Sequence, residues 1–141
     1  MSDNYMQIRI KADMKNESFI RSVVGAFCVG LNPTLEEIND IKTAVSEAVT
    51  NSIVHGYEGG EGDIWIDAEI SGSTVRLLIA DNGIGIEDIP AAMQPFYTTK
   101  ADQDRSGMGF TVMQAFMDEL TVTPNEPRGL KVEMKKTFRG A

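Results

Sequence analysis

The most constraining feature of this chain is a pair of alternating segments on either side of a short turn at residues 71–73. Apolar residues occupy every second position over 64–70, and the alternation resumes over 75–79. Such alternation is typical of a strand with one buried face, and two strands joined by a short turn form a β-hairpin. We therefore expect the core of this chain to be built on an antiparallel sheet.

Two consecutive helices are predicted before the hairpin. Asn16 can cap the first, whose apolar side chains recur at helical spacing until Asn32 and the proline after it end the run. Thr34-x-x-Glu37 is a capping box at the start of the second, in which each side chain accepts a backbone N–H of the other residue. Gly56 suits the left-handed position that ends a helix.

The remaining segments complete the order β-α-α-β-β-loop-α-β-β. Residues 5–12 alternate as a first strand, a third helix is predicted over about 108–118, and two last strands over about 119–124 and 129–138 flank a turn. This order predicts an α+β fold, in which helices cover one face of a mostly antiparallel sheet. The 141 residues make a single domain over 1–141 the expectation.

Charge argues against a nucleic-acid-binding protein. There are 13 Lys and Arg against 21 Asp and Glu, which gives a net charge of −8. A duplex-binding surface needs a basic footprint, so we expect no direct contact with nucleic acid. The one basic cluster, over 128–139, is interpreted as a solvated edge strand, because edge strands often carry lysine.

We also expect a cytoplasmic protein without a membrane segment. The longest nearly apolar run, 23–31, has nine residues, against the ~20 that a spanning helix needs. The first residues lack the basic-then-apolar pattern of a secretion signal. Cys28 is the only cysteine, so an internal disulfide is excluded and the residue is interpreted as a small apolar filler.

Polar motifs interrupt the second helix and the end of the hairpin. Glu47 and Asn51 are four residues apart and share one helix face, where an amide oxygen suits Mg²⁺ and a carboxylate can accept a proton. Asp81 directly follows an apolar strand, where it can accept a hydrogen bond from an amine such as adenine N6. Gly83 and Gly85 behind it allow the backbone to approach a flat ring. A solvated helix face and an ordinary glycine turn remain the alternatives.

Two further motifs follow in the second half of the chain. Gly107 and Gly109 open the third helix, and free N–H groups at a helix N-terminus bind anions. The long loop before them carries Thr99, Lys100 and Arg105, which could close over a triphosphate. Each motif alone also fits an ordinary loop or helix start.

Together, the four motifs resemble those of the GHKL ATPase/kinase superfamily. EAVTNSIVHGY resembles its N box, ADNGIGI its first glycine box and RSGMGF its second. Over nearly the whole chain, segments such as ESFIR, PFYTTK and RSGMGFTVMQAFMD are similar to the anti-sigma F factors of endospore-forming bacteria. This resemblance implies a Bergerat-type two-layer sandwich that binds ATP or ADP with Mg²⁺.

The resemblance also implies a function and residue roles. It implies a homodimeric serine kinase that sequesters a sporulation sigma factor and phosphorylates an anti-anti-sigma protein. The implied roles are a Mg²⁺ ligand at Asn51, a general base at Glu47, an adenine-binding acid at Asp81 with Gly83 and Gly85 around the ring, and a lid and phosphate region at Thr99, Lys100, Arg105, Gly107 and Gly109. Glu17 and Arg21 on the first helix become candidate contacts for the protein partners, and the first strand and helix become the candidate dimer surface.

Two alternative functions stay open. A paralogous switch kinase for a stress-response sigma factor would carry the same nucleotide motifs. A sequestering protein that binds ATP without catalysis would carry most of them. His55, the only histidine, is interpreted as a helix-end residue near the C-terminal dipole and not as a phosphoacceptor.

Overall fold

The computed structural model describes residues 3–94 and 109–140. Its strands are β1 (Asn4–Lys11), β2 (Asp63–Ser71), β3 (Thr74–Asp81), β4 (Glu119–Pro124) and β5 (Leu130–Thr137). Its helices are α1 (Lys15–Cys28), α2 (Leu35–Asn51), the short α3 (Ile89–Ala92) and α4 (Gly109–Phe116). A 3₁₀ turn (Val29–Leu31) follows α1, and a π-helical turn (Ser52–Gly56) extends α2.

The five strands form one antiparallel sheet in the order β1-β2-β3-β5-β4. The predicted turn joins β2 to β3, and its Gly72 has a φ of 60°, a conformation that favours glycine. The β4–β5 hairpin returns beside β3, so β5 lies inside the sheet. The interpretation of the basic C-terminal segment as an edge strand is therefore wrong. Lys131 and Lys135 instead alternate with buried residues along an interior strand.

The two long helices begin largely as the sequence predicts. Glu37 N donates to Thr34 Oγ1 at 3.1 Å and Thr34 N donates to Glu37 Oε1 at 2.9 Å, which confirms the capping box. The prediction that Asn16 caps α1 is wrong, because α1 already includes this residue and its side chain donates to Lys11 O. Asn32 ends the segment in a left-handed conformation, with a φ of 51°.

The end of α2 differs from the prediction. Gly56 does not take the left-handed conformation expected of a C-cap. The helix continues through the π-helical turn instead, and the positive φ values fall on Glu58 and Gly59. His55 lies in this last turn, as predicted.

One core joins the sheet to the helices, which confirms the α+β class. Alternate strand residues and the inner faces of α1, α2 and α4 belong to a single cluster of buried side chains. Its largest fully buried members include Ile20, Val24, Ile41, Val45, Val49, Ile64, Ile66, Leu77, Ile79, Met113 and Met134. Cys28 is also fully buried in it, as the filler interpretation requires. Within the described ranges, no helix has the length and apolar character needed to cross a membrane.

Candidate functional site

Two of the predicted site residues lie on α2 where it meets the start of α4. Glu47 and Asn51 are both half-buried, and Asn51 is the last residue of α2. A Cβ built on Gly109 would lie 3.4 Å from Glu47 Oε2 and 3.5 Å from Asn51 Nδ2. The backbone at the start of α4 therefore lies against both side chains. A carboxylate, an amide and a helix N-terminus meet at one place.

The π-helical turn leads the chain from Asn51 to Asp81. Ser52 Oγ donates a hydrogen bond of 2.7 Å to Asp81 Oδ2. Gly56 lies against the same carboxylate, because a Cβ there would be 3.2 Å from Oδ2. Sequence reasoning missed Ser52 as a site residue, although a hydroxyl directly after Asn51 on an otherwise apolar helix stripe was a usable signal. Single-turn π-bulges are frequent at functional sites.

Asp81 is a buried carboxylate at the end of β3, with an exposed fraction of 2%. Besides Ser52, its donors are Gly83 N at 2.9 Å and Leu130 N at 3.3 Å, both to Oδ1. A buried charge is costly unless hydrogen bonds compensate it, and these three donors do so. A carboxylate has about four lone-pair sites, and the donors within residues 3–94 and 109–140 use three of them, so these residues leave one for a hydrogen bond from a ligand.

The glycines after Asp81 are needed for two different reasons. A Cβ on Gly83 would lie 2.2 Å from Gly56 O, so only glycine fits this contact. The next residue, Ile84, donates its N–H to Gly56 O at 2.9 Å. Gly85 has a φ of 74°, which favours glycine. The turn is thereby held against the end of the helix that carries Asn51.

The β4–β5 loop, residues 125–129, also contacts this turn, which the sequence did not predict. Asn125 Nδ2 donates to Asp81 O at 2.8 Å, and Arg128 Nε donates to Gly83 O at 2.8 Å. Sequence reasoning interpreted this segment as a turn between strands and counted Arg128 in the basic cluster of the predicted edge strand. An amide and a guanidinium inside a Pro- and Gly-rich turn were the available signal.

Four predicted residues cannot be placed. Thr99, Lys100, Arg105 and Gly107 lie outside the described residues, so their roles as lid and phosphate contacts stay predictions. Within 3–94 and 109–140, no three His, Cys, Asp or Glu side chains are grouped so that they could bind a metal ion. Asn51 Oδ1, the predicted metal ligand, would lie 3.7 Å from a Cβ built on Gly109.

Glu17 and Arg21 lie on α1, and the structure gives them partners within the chain. Ser46 Oγ donates to Glu17 Oε2 at 2.7 Å, and Arg21 Nε lies 3.3 Å from the same oxygen. The Glu17 side chain is 14% exposed, whereas that of Arg21 is 43% exposed. Glu17 therefore ties α1 to α2 one residue before Glu47, and Arg21 is the more accessible of the two predicted contact residues.

Comparison with known proteins identifies the family. Residues 10–136 match the family described as Histidine kinase-like ATPase domain. An anti-sigma F factor of Clostridium kluyveri is 55% identical over 138 residues, which cover 98% of this chain and 97% of the relative. The chain belongs to the anti-sigma F factor family. The resemblance inferred from the motifs is thereby confirmed.

Other relatives support the same assignment. An anti-sigma F factor of Clostridium beijerinckii is 55% identical over 98% of this chain and 97% of the relative. One of Thermoanaerobacter pseudethanolicus is 55% identical over 94% of this chain and 93% of the relative. A solved structure of the RsbU and RsbW domains of a Mycobacterium tuberculosis protein superposes with a TM-score of 0.67, covering 96% of this chain and 32% of that chain. At 18% identity, this match supports the fold alone.

Proposed function

We propose that this member of the anti-sigma F factor family sequesters a sporulation sigma factor and is an ATP-dependent protein-serine kinase for an anti-anti-sigma protein. The observation that supports catalysis most directly is the meeting of Glu47 and Asn51 with Gly109 at the start of α4. The names of the relatives support the sigma factor as a partner. In this proposal, residues 1–141 work as one domain in the cytoplasm, without direct contact to nucleic acid or membrane.

Asp81 would bind the adenine base. Its remaining lone-pair site can accept a hydrogen bond from the exocyclic amine of adenine, whereas guanine presents a carbonyl oxygen at that position. Gly83 and Gly85 would line the ring. ATP and ADP would share these contacts, because they carry the same base.

Asn51 would provide the protein ligand for Mg²⁺. The chemistry fits, because Mg²⁺ keeps several waters and takes few oxygen ligands from a protein, and the amide lies beside a carboxylate and a helix N-terminus. When bound with ATP, Mg²⁺ would neutralise charge on the phosphates. Gly109, together with Gly107, Thr99 and Lys100, would bind the phosphates.

Glu47 would act as the general base and Arg105 would stabilise charge on the transferred group. The serine oxygen attacks the γ-phosphorus, its proton passes to the Glu47 carboxylate, and the bond to the bridging oxygen breaks so that ADP leaves. General-base catalysis is worth roughly 10²–10⁴-fold in rate. Arg105 would contribute only once the nucleotide is bound.

Arg21 and Glu17 would contact the protein partners. Arg21 is accessible, and its ion pair with Glu17 fixes its position on α1. We further propose a homodimer formed through β1 and α1, because β1 is an edge strand of the sheet. An obligate monomer in light scattering at micromolar concentration would contradict this surface.

The decisive experiment measures transfer of γ-labelled phosphate from Mg·ATP to the anti-anti-sigma protein of the same host. Glu47→Gln should keep ATP binding and lose transfer by at least about 100-fold. Glu36→Gln is the matched control, since Glu36 is an exposed glutamate on the same helix, 11 residues earlier and about 16 Å away. It should transfer phosphate like the wild type.

The outcomes separate the alternatives. Label on a serine that Glu47→Gln abolishes supports the kinase and its base. Near-normal transfer by Glu47→Gln would contradict the base assignment. Tight ATP binding without transfer to this protein, but with transfer to the antagonist of a stress-response sigma factor, would favour the paralogous switch kinase. No transfer to either would favour a sequestering protein that uses ATP only as a ligand.

A further inference from the structure

We propose that the β4–β5 loop, residues 125–129, determines nucleotide selectivity by positioning Asp81, and that Arg128 and Asn125 are its positioning residues. This inference rests on the proposed binding of ATP and extends it to a segment that carries none of the nucleotide motifs. The loop, which leads into β5, contacts the turn after Asp81 that would bind the base. The end of the helix that carries Asn51 contacts the same turn through Gly56.

Two side chains of the loop hold the backbone from Asp81 to Gly83. Asn125 Nδ2 donates to Asp81 O at 2.8 Å and also lies 3.3 Å from Asn82 Oδ1. Arg128 Nε donates to Gly83 O at 2.8 Å. Two side chains from one loop therefore fix the peptide carbonyls of the residue that would bind the base and of the glycine two positions later.

The backbone of the loop makes a third set of contacts. Gly129 has a φ of 103°, and a Cβ there would lie only 2.0 Å from Asp81 O. Gly129 O would be 3.1 Å from a Cβ on Gly85. The next residue, Leu130, donates its N–H to Asp81 Oδ1 at 3.3 Å. The loop is thus packed directly on the turn, and the residue that follows it supplies one of the described donors that orient the carboxylate.

This arrangement matters most for discrimination between bases. The described donors leave about one lone-pair site of Asp81 for the ligand, so in this proposal the base is recognised through a single oriented hydrogen bond. A site of this kind must be held within about 0.5 Å and 10–20° to be effective. Loss of a loop contact would shift that oxygen relative to the base. The phosphate end should be affected less, because the hydrogen bond of Arg128 is to Gly83 O, whereas the start of α4 lies against Glu47 and Asn51.

The test is calorimetric titration of the full chain with Mg·ATP and with Mg·GTP. Arg128→Ala should weaken ATP binding roughly fivefold, the worth of one net hydrogen bond, and leave GTP binding nearly unchanged. Asn125→Ala should also weaken ATP binding more than GTP binding. If one of the two variants fails to fold, the other still tests the proposal. Arg128→Lys, which keeps a donor on a long side chain, should recover part of the selectivity.

Two controls make the result specific. Arg139→Ala removes the same charge from an exposed residue whose contact with Glu37 uses only its backbone N–H, so its ATP-to-GTP affinity ratio should equal that of the wild type. Asp81→Asn should abolish the preference for ATP. If Arg128→Ala and Asn125→Ala keep the wild-type ratio, or lose both nucleotides equally, the positioning role is wrong. A wild-type chain that binds neither nucleotide would instead overturn the proposed function itself.

Discussion

The strongest test of the site's energetics compares two serines that make the same bond in different surroundings. Ser52 donates a hydrogen bond of 2.7 Å to the Asp81 carboxylate, and Ser46 donates one of 2.7 Å to the Glu17 carboxylate. Ser52 and Asp81 are 5% and 2% exposed, whereas the Glu17 side chain is 14% exposed and is paired with Arg21. The substitution Ser→Ala is identical at both positions, and its effect on helix propensity largely cancels in the comparison.

The expected costs differ because only one carboxylate loses a donor that water cannot replace. Ser52→Ala should lower the free energy of unfolding by about 2 kcal/mol, since a hydrogen bond to a buried charge is worth about 1.5–3 kcal/mol. Ser46→Ala should cost less than about 1 kcal/mol, because Glu17 keeps Arg21 and partial contact with solvent.

Urea denaturation is the appropriate assay. A domain of this size normally unfolds in two states, and with a slope of about 2 kcal/mol/M the midpoint of Ser52→Ala should fall by about 1 M. The midpoint of Ser46→Ala should fall by less than half of that. Equal shifts for both variants would refute the reasoning that burial of the acceptor decides the cost.

Three further predictions concern residues outside the nucleotide contacts. Lys136→Met should lower the free energy of unfolding by about 2 kcal/mol, because Lys136 is 9% exposed and its Nζ donates to Phe116 O at 2.8 Å. Urea denaturation measures this change, and Lys131→Met is the control. A loss of stability no larger than that of the control would contradict the prediction. Hydrogen bonds from the backbone N–H groups of Arg139, Thr34 and Gly140 lower the pKa of Glu37 from its ordinary 4.5. The stabilising contribution of Glu37 to the free energy of unfolding is therefore present above pH 4.5 and is lost as the pH falls through the folded-state pKa. The urea midpoints of Glu37→Gln and wild type should therefore differ at neutral pH and converge as the pH falls below the folded-state pKa of Glu37; a difference between the midpoints that does not change with pH would refute the role. Burial raises the pKa of the Cys28 thiol to about 12, so a thiol reagent at pH about 8 should label it only beyond the unfolding midpoint, and stoichiometric labelling of the native chain would contradict its burial.

The features that the sequence could predict were those that depend on neighbouring residues. The capping box at Thr34 and Glu37 is a pattern within four residues, and the β2–β3 hairpin is a pattern of alternation around one glycine turn. The position of Glu47 and Asn51 on one face of α2 follows from the spacing of a helix. In each case the residues that make the contact are also the residues that carry the signal.

The features that were missed depend on distant parts of the chain. Alternation along β5 is the same for an edge strand and for an interior strand, so the position of β5 between β3 and β4 could not be inferred from it. The π-helical turn (Ser52–Gly56) keeps the apolar pattern of a helix, so the pattern could not distinguish it from an α-helix. The contacts of Asn125 and Arg128 with the turn after Asp81 join residues more than 40 positions apart.

The position of β5 has a consequence for the whole site. At its first residue, Leu130 N orients the Asp81 carboxylate. Near its other end, Lys136 Nζ donates to Phe116 O, the last residue of α4, and lies 3.7 Å from Asp40 Oδ2 on α2. The opposite end of α4 contacts Glu47 and Asn51. One interior strand therefore positions both the residue that would recognise the base and the helix that would bind the phosphates. A slip of β5 by one residue would reverse its faces, so the same register that buries its apolar residues also sets the spacing between the two halves of the site.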